Sequence, residues 1–458
     1  MSASSGRVHS RISRRTVVAA GVGSALAGAA SLAACGAPTT ETPSQSTAPV
    51  KVTYMGPAAS GERLQLETDL FKAFNESQRK AIVEVTAGPD GSWGGLREKF
   101  TVRHAGGDPV DVVANGWGTW TDMSDGGMFA ELTPLLKREK AGAGTGTFIP
   151  GALEAFTGED KVWGLPVSVS SDAIAYNIDL FDAAGLKHPP VNPDDKTWTM
   201  EKFQEYAQKL TRGSEQFGFG GVYSGFGTAG GVDGSYFQQA PWDDKAKKGL
   251  MDAPTFQKGL QFWSDLETKL RAQPTAAESA TLRGGQTTNV FLTGKIGMQA
   301  IFSIFPKEQV PFKWGLATLP STGAGRNQSG RTFPLALHLG KSPRTDAAWE
   351  VLNWLTKPEN GGRFPLTAGH AVSPLAKGGS DAAQKTRREQ SGIDPKAWVL
   401  QAQYSQLSAG GMLKYPGWTI AGTELTPKFA DFRAQKIGVG EYARTATETI
   451  NRLLAPKR

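Results

Sequence analysis

Cysteine is almost missing. A chain of 458 residues carries one, Cys35, so no disulfide can form within it. Histidine is nearly as scarce: past the first few dozen residues only His104, His188, His338 and His370 remain. They are too far apart for an HExxH site, and a zinc cluster has no cysteines to draw on. No metal and no cofactor is expected. There is no G-x-S-x-G nucleophile elbow. Gly294-Lys295-Ile296 lacks the Ser/Thr and the earlier glycine of a phosphate-binding loop. "GFGTAG" (225–230) fits G-x-G-x-x-G, but "GVDGSYFQQAPW" after it is a poor helix, so the stretch reads as a glycine-rich loop. "SQRK" (77–80) matches S-x-x-K in a polar helix-to-strand turn and is treated as chance. With 43 acids a glycosidase-type carboxylate pair is not excluded, and none stands out. No catalytic residue is expected.

A strong charge of one sign is lacking too. The formal net charge is +7, yet residues 1–34 hold Arg7, Arg11, Arg14 and Arg15 and no acid. The remainder is nearly balanced and carries no basic stripe with interleaved aromatics, which argues against a nucleic-acid partner.

What is present begins with an address. Residues 1–15 are polar and basic, 16–34 ("TVVAAGVGSALAGAASLAA") are small and apolar, and Cys35 follows. This is the layout of a secretory signal over 1–34. Arg14-Arg15 resembles a twin-arginine signal, though Sec signals carry arginines as well. Leu32-Ala33-Ala34-Cys35 resembles a lipobox, in which the cysteine becomes the first mature residue and its thiol takes a diacylglycerol. The alternative is a membrane-spanning helix with an incidental cysteine; its richness in Ala and Gly speaks against that. Residues 35–49, rich in Pro, Ser and Thr, read as a flexible tether. The folded body should start near Val50.

Beyond it, 39% hydrophobic residues with 12 Trp and 22 Phe are enough for packed cores. The length suggests about two to four domains. "VKVTYMG" (50–56) alternates as a strand. "GERLQLETDLFKAFN" (61–75) spaces Leu66, Leu70 and Phe74 as an amphipathic helix. A strand (81–87), a helix (94–107) and a third strand (109–116) follow. The β-α-β-α-β order implies an α/β fold with a parallel sheet, whose ligand crevice lies beyond the carboxyl ends of its strands. Those ends read "GPAASGE", "AGPDGSWGG" and "ANGWGTW". Further helices are expected over 197–211, with Thr199 as N-cap, and over 255–270 and 345–361.

Taken in order, "GMFAELTPLL" (127–136), "VWGLPVSVSSDAIAYNIDLFDAAGL" (162–186), "FLTGKIGMQAIFSIF" (291–305), "WGLATLPSTGAGR" (314–326) and "KSPRTDAAWEVLNWLT" (341–356) closely resemble the bacterial extracellular solute-binding proteins of family 1, the maltose-binding type that feeds ABC sugar importers. The resemblance covers about 50–450. It implies the two-lobe, type II periplasmic-binding-protein fold, with lobe 1 over 50–166 and 334–372, lobe 2 over 167–333 and 373–458, and a first crossover at Leu165-Pro166-Val167. It implies a monomer that closes on a carbohydrate by hinge motion, docks on membrane permease subunits, and is exported and lipid-anchored to the outer face of the cell membrane.

A sugar offers apolar C–H faces and a rim of hydroxyls, so aromatic rings and polar side chains are sought. By the resemblance, Trp418 in the Pro-rich "YPGWTI" stacks on sugar, or else packs in the lobe 2 core, and Tyr415 joins it. Asn115 and Trp117 lie past the third strand, with Trp120 a weaker choice. The family's sugar-contacting acid aligns with Ser170, a departure that leaves Ser170, Ser171 or Asp172 to serve. Tyr223 and Ser224 fall on a ligand-binding loop. Phe302 and Phe305 stand near a family tryptophan, and Phe302 with Ser303 is preferred. Arg331 and His370 flank the second and third crossings, with solvated-surface readings open for both. Glu62 serves either a ligand or its helix's first turn. Two other readings stay open: a secreted polysaccharide hydrolase and an adhesion lipoprotein. Within the main reading, another polar solute such as a glycerol phosphate is an alternative to sugar.

Overall fold

The computed structural model describes residues 48–115, 120–139, 147–149, 151–221, 248–284, 286, 289–301, 303–321, 333–367, 372–375, 380–404 and 418–455. Residues Ala48–Arg458 form one compact unit.

The opening β-α-β-α-β unit is present. Strand β1 (Val50–Met55), helix α1 (Gly61–Ser77), strand β2 (Ala81–Thr86), helix α2 (Trp93–Ala105) and strand β3 (Val112–Asn115) follow one another. β1 pairs in parallel with β2 and with β3. Helix α1 turns Leu70, Phe71 and Phe74 inward, one helical face as its spacing requires. After a short hairpin, β4 (Thr157–Gly158) with β5 (Lys161–Val162), come β6 (Leu165–Ser170) and β7 (Ala173–Asn177). The remaining strands are β8 (Phe217–Phe219), β9 (Ile296–Ile301), β10 (Trp314–Ala317) and β11 (Phe333–Leu339).

They make two main sheets, ordered β2-β1-β3-β11-β6 and β10-β7-β9-β8. Both are mixed rather than purely parallel. β11 runs antiparallel to β3 and to β6, because it returns to the first sheet after the chain has visited the second. In the second sheet only β8 and β9 are parallel.

Later helices include α3 (Met200–Leu210), α4 (Pro254–Thr268), α5 (Thr345–Leu355), the short α6 (Arg363–Thr367), α7 (Ser380–Ser391), α8 (Lys396–Tyr404), α9 (Trp418–Arg433) and α10 (Val439–Leu454). Thr199 caps α3, its hydroxyl accepting from the Lys202 N–H. Side chains of the second sheet alternate between two cores. Ile174, Tyr176 and Met298 meet α3 and α4 through Phe203, Tyr206 and Trp263 on one face. Ala173, Ala175, Ile301 and Trp314 lie on the other with Trp398 of α8, as the two-residue period of a strand demands. Gly218 explains the glycines of "FGFGG": a Cβ there would fall 1.8 Å from the Ala207 carbonyl oxygen, so only glycine lets α3 lie this close to β8. The first sheet has its own core, with Val52, Tyr54, Phe71, Val112, Leu337 and Trp349.

Candidate functional site

The segments that link the two sheets meet at one place. β6 belongs to the first sheet and β7 to the second, so the chain passes between them at Ser171-Asp172. Pro334 of β11 is registered against Val169. Val372 pairs with Val169 as well, the Val169 N–H donating to its carbonyl at 3.1 Å. The three segments that link the sheets thus lie side by side at Val169, and the first passes between the sheets after Ser170 rather than at the expected Leu165-Pro166-Val167.

Several expected site residues gather here. Ser170 and Ser171 are buried at the end of β6. The Trp398 indole N–H donates to the Ser171 carbonyl and fixes that link from below. Pairing of Ala173 with Ile301 brings the half-buried Ser303, just past β9, to the same edge. Asn115 ends β3, registered against Ala336 of β11; it is buried, and its amide faces the Met123 sulfur at 3.9 Å. Trp120 is buried beside Phe156, a core residue. Trp418 is the first residue of α9 rather than part of a loop. Trp117, Tyr223, Ser224, Phe302, Arg331, His370, Tyr415 and Cys35 lie outside the described residues, as does "GFGTAG".

The glycine-rich ends of β1 and β2 touch each other. The Gly88 N–H donates to the Ala58 carbonyl at 2.7 Å, and a Cβ on Gly88 would strike the Pro57 carbonyl oxygen at 2.4 Å. Beneath them Glu67 is fully buried, with the Arg63 Nε at 3.3 Å and the Tyr54 phenol nearby; burial raises the Glu67 carboxyl above its ordinary range. Arg63 in turn lies over the Trp93 ring at 5.4 Å. In the second sheet, the Gln299 amide donates to the Gly221 carbonyl and holds the exit of β8, where Gly221 takes φ +102°.

A cavity of about 350 Å³ opens between the two layers. Glu62, in the first turn of α1, forms one side. The others are the Ile304–Glu308 stretch after β9 and the Thr386–Ser391 end of α7. Arg387 is buried in this wall, donating to the Gln390 side chain at 2.7 Å and to the Leu366 carbonyl. Burial pushes its guanidinium pKa down, and the Glu62 carboxylate opposes that shift. Phe305, rather than a residue preferred from sequence, supplies the described aromatic wall. Arg387 was missed, although a signal existed: in "SDAAQKTRREQS" the buried positions Ala383, Arg387 and Ser391 are four apart, one helical stripe. Among the described residues no cluster of His, Cys, Asp or Glu suits a metal, and no helix is long and apolar enough to cross a membrane.

The sequence profile of the family described as "Bacterial extracellular solute-binding protein" matches residues 60–362. A putative binding protein of Brucella abortus is 25% identical over 288 residues, 60% of this chain and 66% of its own length. An ABC substrate-binding protein of Listeria monocytogenes, solved with cycloalternan, superposes with a TM-score of 0.70 at 19% identity, over 89% of this chain and 100% of that one. UgpB from Mycobacterium tuberculosis, solved with glycerophosphocholine, gives 0.69 at 17%, over 89% and 98%. The fold is therefore the two-lobe α/β fold of such binding proteins.

Proposed function

The chain belongs to the family of bacterial extracellular solute-binding proteins, and from that premise we propose that it captures a sugar or oligosaccharide between two lobes and delivers it to the membrane permease of an ABC importer. The observation that carries this reading is the meeting of the three linking segments at Val169, beside a cavity with walls from both layers. Such an arrangement lets two layers close on a solute by hinge motion. The proposed lobes follow the partition expected from sequence, 50–166 with 334–372 and 167–333 with 373–458, except that the first boundary moves to Ser171-Asp172. The grouping of β1–β3 with β11, and of β7–β10 apart from them, supports it. The Listeria neighbour, solved with an oligosaccharide, supports the ligand class. The protein binds without bond chemistry, acts as a monomer, and keeps Asn115, Ser170, Ser171 and Ser303 near the ligand. The layout of residues 1–35 supports export with a diacylglycerol on Cys35.

A thermal-shift panel of mono- and oligosaccharides, with glycerophosphocholine as a separate arm, tests the ligand. Mass action raises stability by about 2.7 kcal/mol at a hundredfold excess over Kd. No shift with any saccharide contradicts the sugar reading. For the anchor, Cys35→Ala should release the protein into the medium or leave its precursor uncut. A processed, membrane-bound variant contradicts lipidation.

A further inference from the structure

The cavity between Glu62 and Arg387 has a chemistry of its own. We propose that it holds one or two rings of a neutral, polyhydroxylated ligand, with Phe305 under the ring face and the Glu62 carboxylate and Arg387 guanidinium on its hydroxyls. This rests on the sugar-capture reading above and names the part of the chain that reads the sugar.

Both signs of charge line the space. Glu62, Glu308 and Glu389 are acids, and Lys307 and Arg387 are cations. An anionic ligand would accept from the cations but meet three carboxylates, and a cationic one would meet Lys307 and Arg387. A hydroxyl suits both walls, because it donates to a carboxylate and accepts from a guanidinium in the same place. Arg387 is prepared for this. Bonds to Gln390 on its own helix and to the Leu366 carbonyl of α6 fix the plane of the fork. Glu62 acts on it across the cavity, from the first turn of α1. A ligand bridging the two ties α1 to α7 and so favours the closed arrangement.

The apolar side is equally set. Phe305 is half-buried, its ring stacked 6.0 Å from Phe291 at 18° and tilted against Trp314 at 5.8 Å. Those neighbours hold its orientation, so little side-chain freedom is lost when a ring face lands on it. Ile304 and Pro306 flank it. At about 350 Å³ the cavity is at the small end of the roughly 300–1,000 Å³ usual for small-molecule sites, which suits one or two rings rather than a long chain.

Titration calorimetry of the wild type, Glu62→Gln and Phe305→Leu with glucose, maltose, trehalose and glycerophosphocholine tests this. Glu62 is exposed, so Glu62→Gln should leave the ligand-free melting temperature unchanged. Phe305→Leu keeps an apolar side chain and removes the flat ring. Each variant should weaken the saccharide that the wild type binds by about tenfold or more. Wild-type binding of a saccharide that both variants retain within about twofold overturns the inference and leaves the sugar reading standing. Preference for glycerophosphocholine overturns the neutral class. No binding of any saccharide by the wild type overturns both readings.

Discussion

Around the first sheet, titratable groups are buried in the interior. Asp111 has no exposed surface and accepts from the Thr53 N–H at 2.8 Å, the Ser342 hydroxyl at 2.6 Å and the Arg344 Nε at 2.9 Å, tying β1 to the turn before α5. Glu67 and His338 are buried in the same half. Around the second sheet a cluster of rings fills the interior between the sheet, α3 and α4. Phe203 lies 5.0 Å from Phe219, 5.9 Å from Trp263 and 6.1 Å from Trp198. The first half should therefore answer to pH and the second to packing.

The largest effect is expected in the aromatic half. Phe203→Ala should cost about 3–5 kcal/mol in urea unfolding, by about the same amount at every pH. Asp111→Ala should cost about 3 kcal/mol, because Thr53, Ser342 and Arg344 lose their shared acceptor; Arg344 reaches solvent, which moderates the loss. A cost under about 1 kcal/mol would show that the ion pair is ornamental.

The pH dependence should sit with His338 and Glu67, with opposite signs. Burial pushes His338 down to about 3 from 6.5, against its Nδ1 contact with the Trp163 carbonyl at 2.8 Å. Between those values the unfolded chain binds a proton that the folded one refuses. Stability should fall as pH drops from 6.5 to 3, by about 1.4 kcal/mol per pH unit. Glu67 is raised above 4.5, so the folded state keeps a proton that the unfolded one has lost. Its contribution falls as pH rises from 4.5 through the raised value, and Glu67→Gln should flatten that limb in thermal melts across pH. The smallest expected effect is Thr199→Ala, about 1 kcal/mol from the lost cap of α3.

Local features were legible in the sequence. The Thr199 cap, the Leu70–Phe74 face of α1 and the first three strands follow from spacing and end signals that neighbouring residues carry. The antiparallel entry of β11 between β3 and β6 was not, since it pairs segments more than 150 residues apart and nothing local encodes that. The candidate site divides the same way. Ser170 and Ser303, chosen through the family resemblance, fall at the end of β6 and just past the end of β9. Arg387 looks like any charge on a polar helix until the Ala383–Ser391 stripe is drawn.

The central claim is reversible capture of one intact solute. Native mass spectrometry of the purified protein after long incubation with a saccharide panel tests it directly. The account predicts one saccharide per chain, released unchanged on unfolding. Cleaved product, or no adduct with any saccharide, would contradict it.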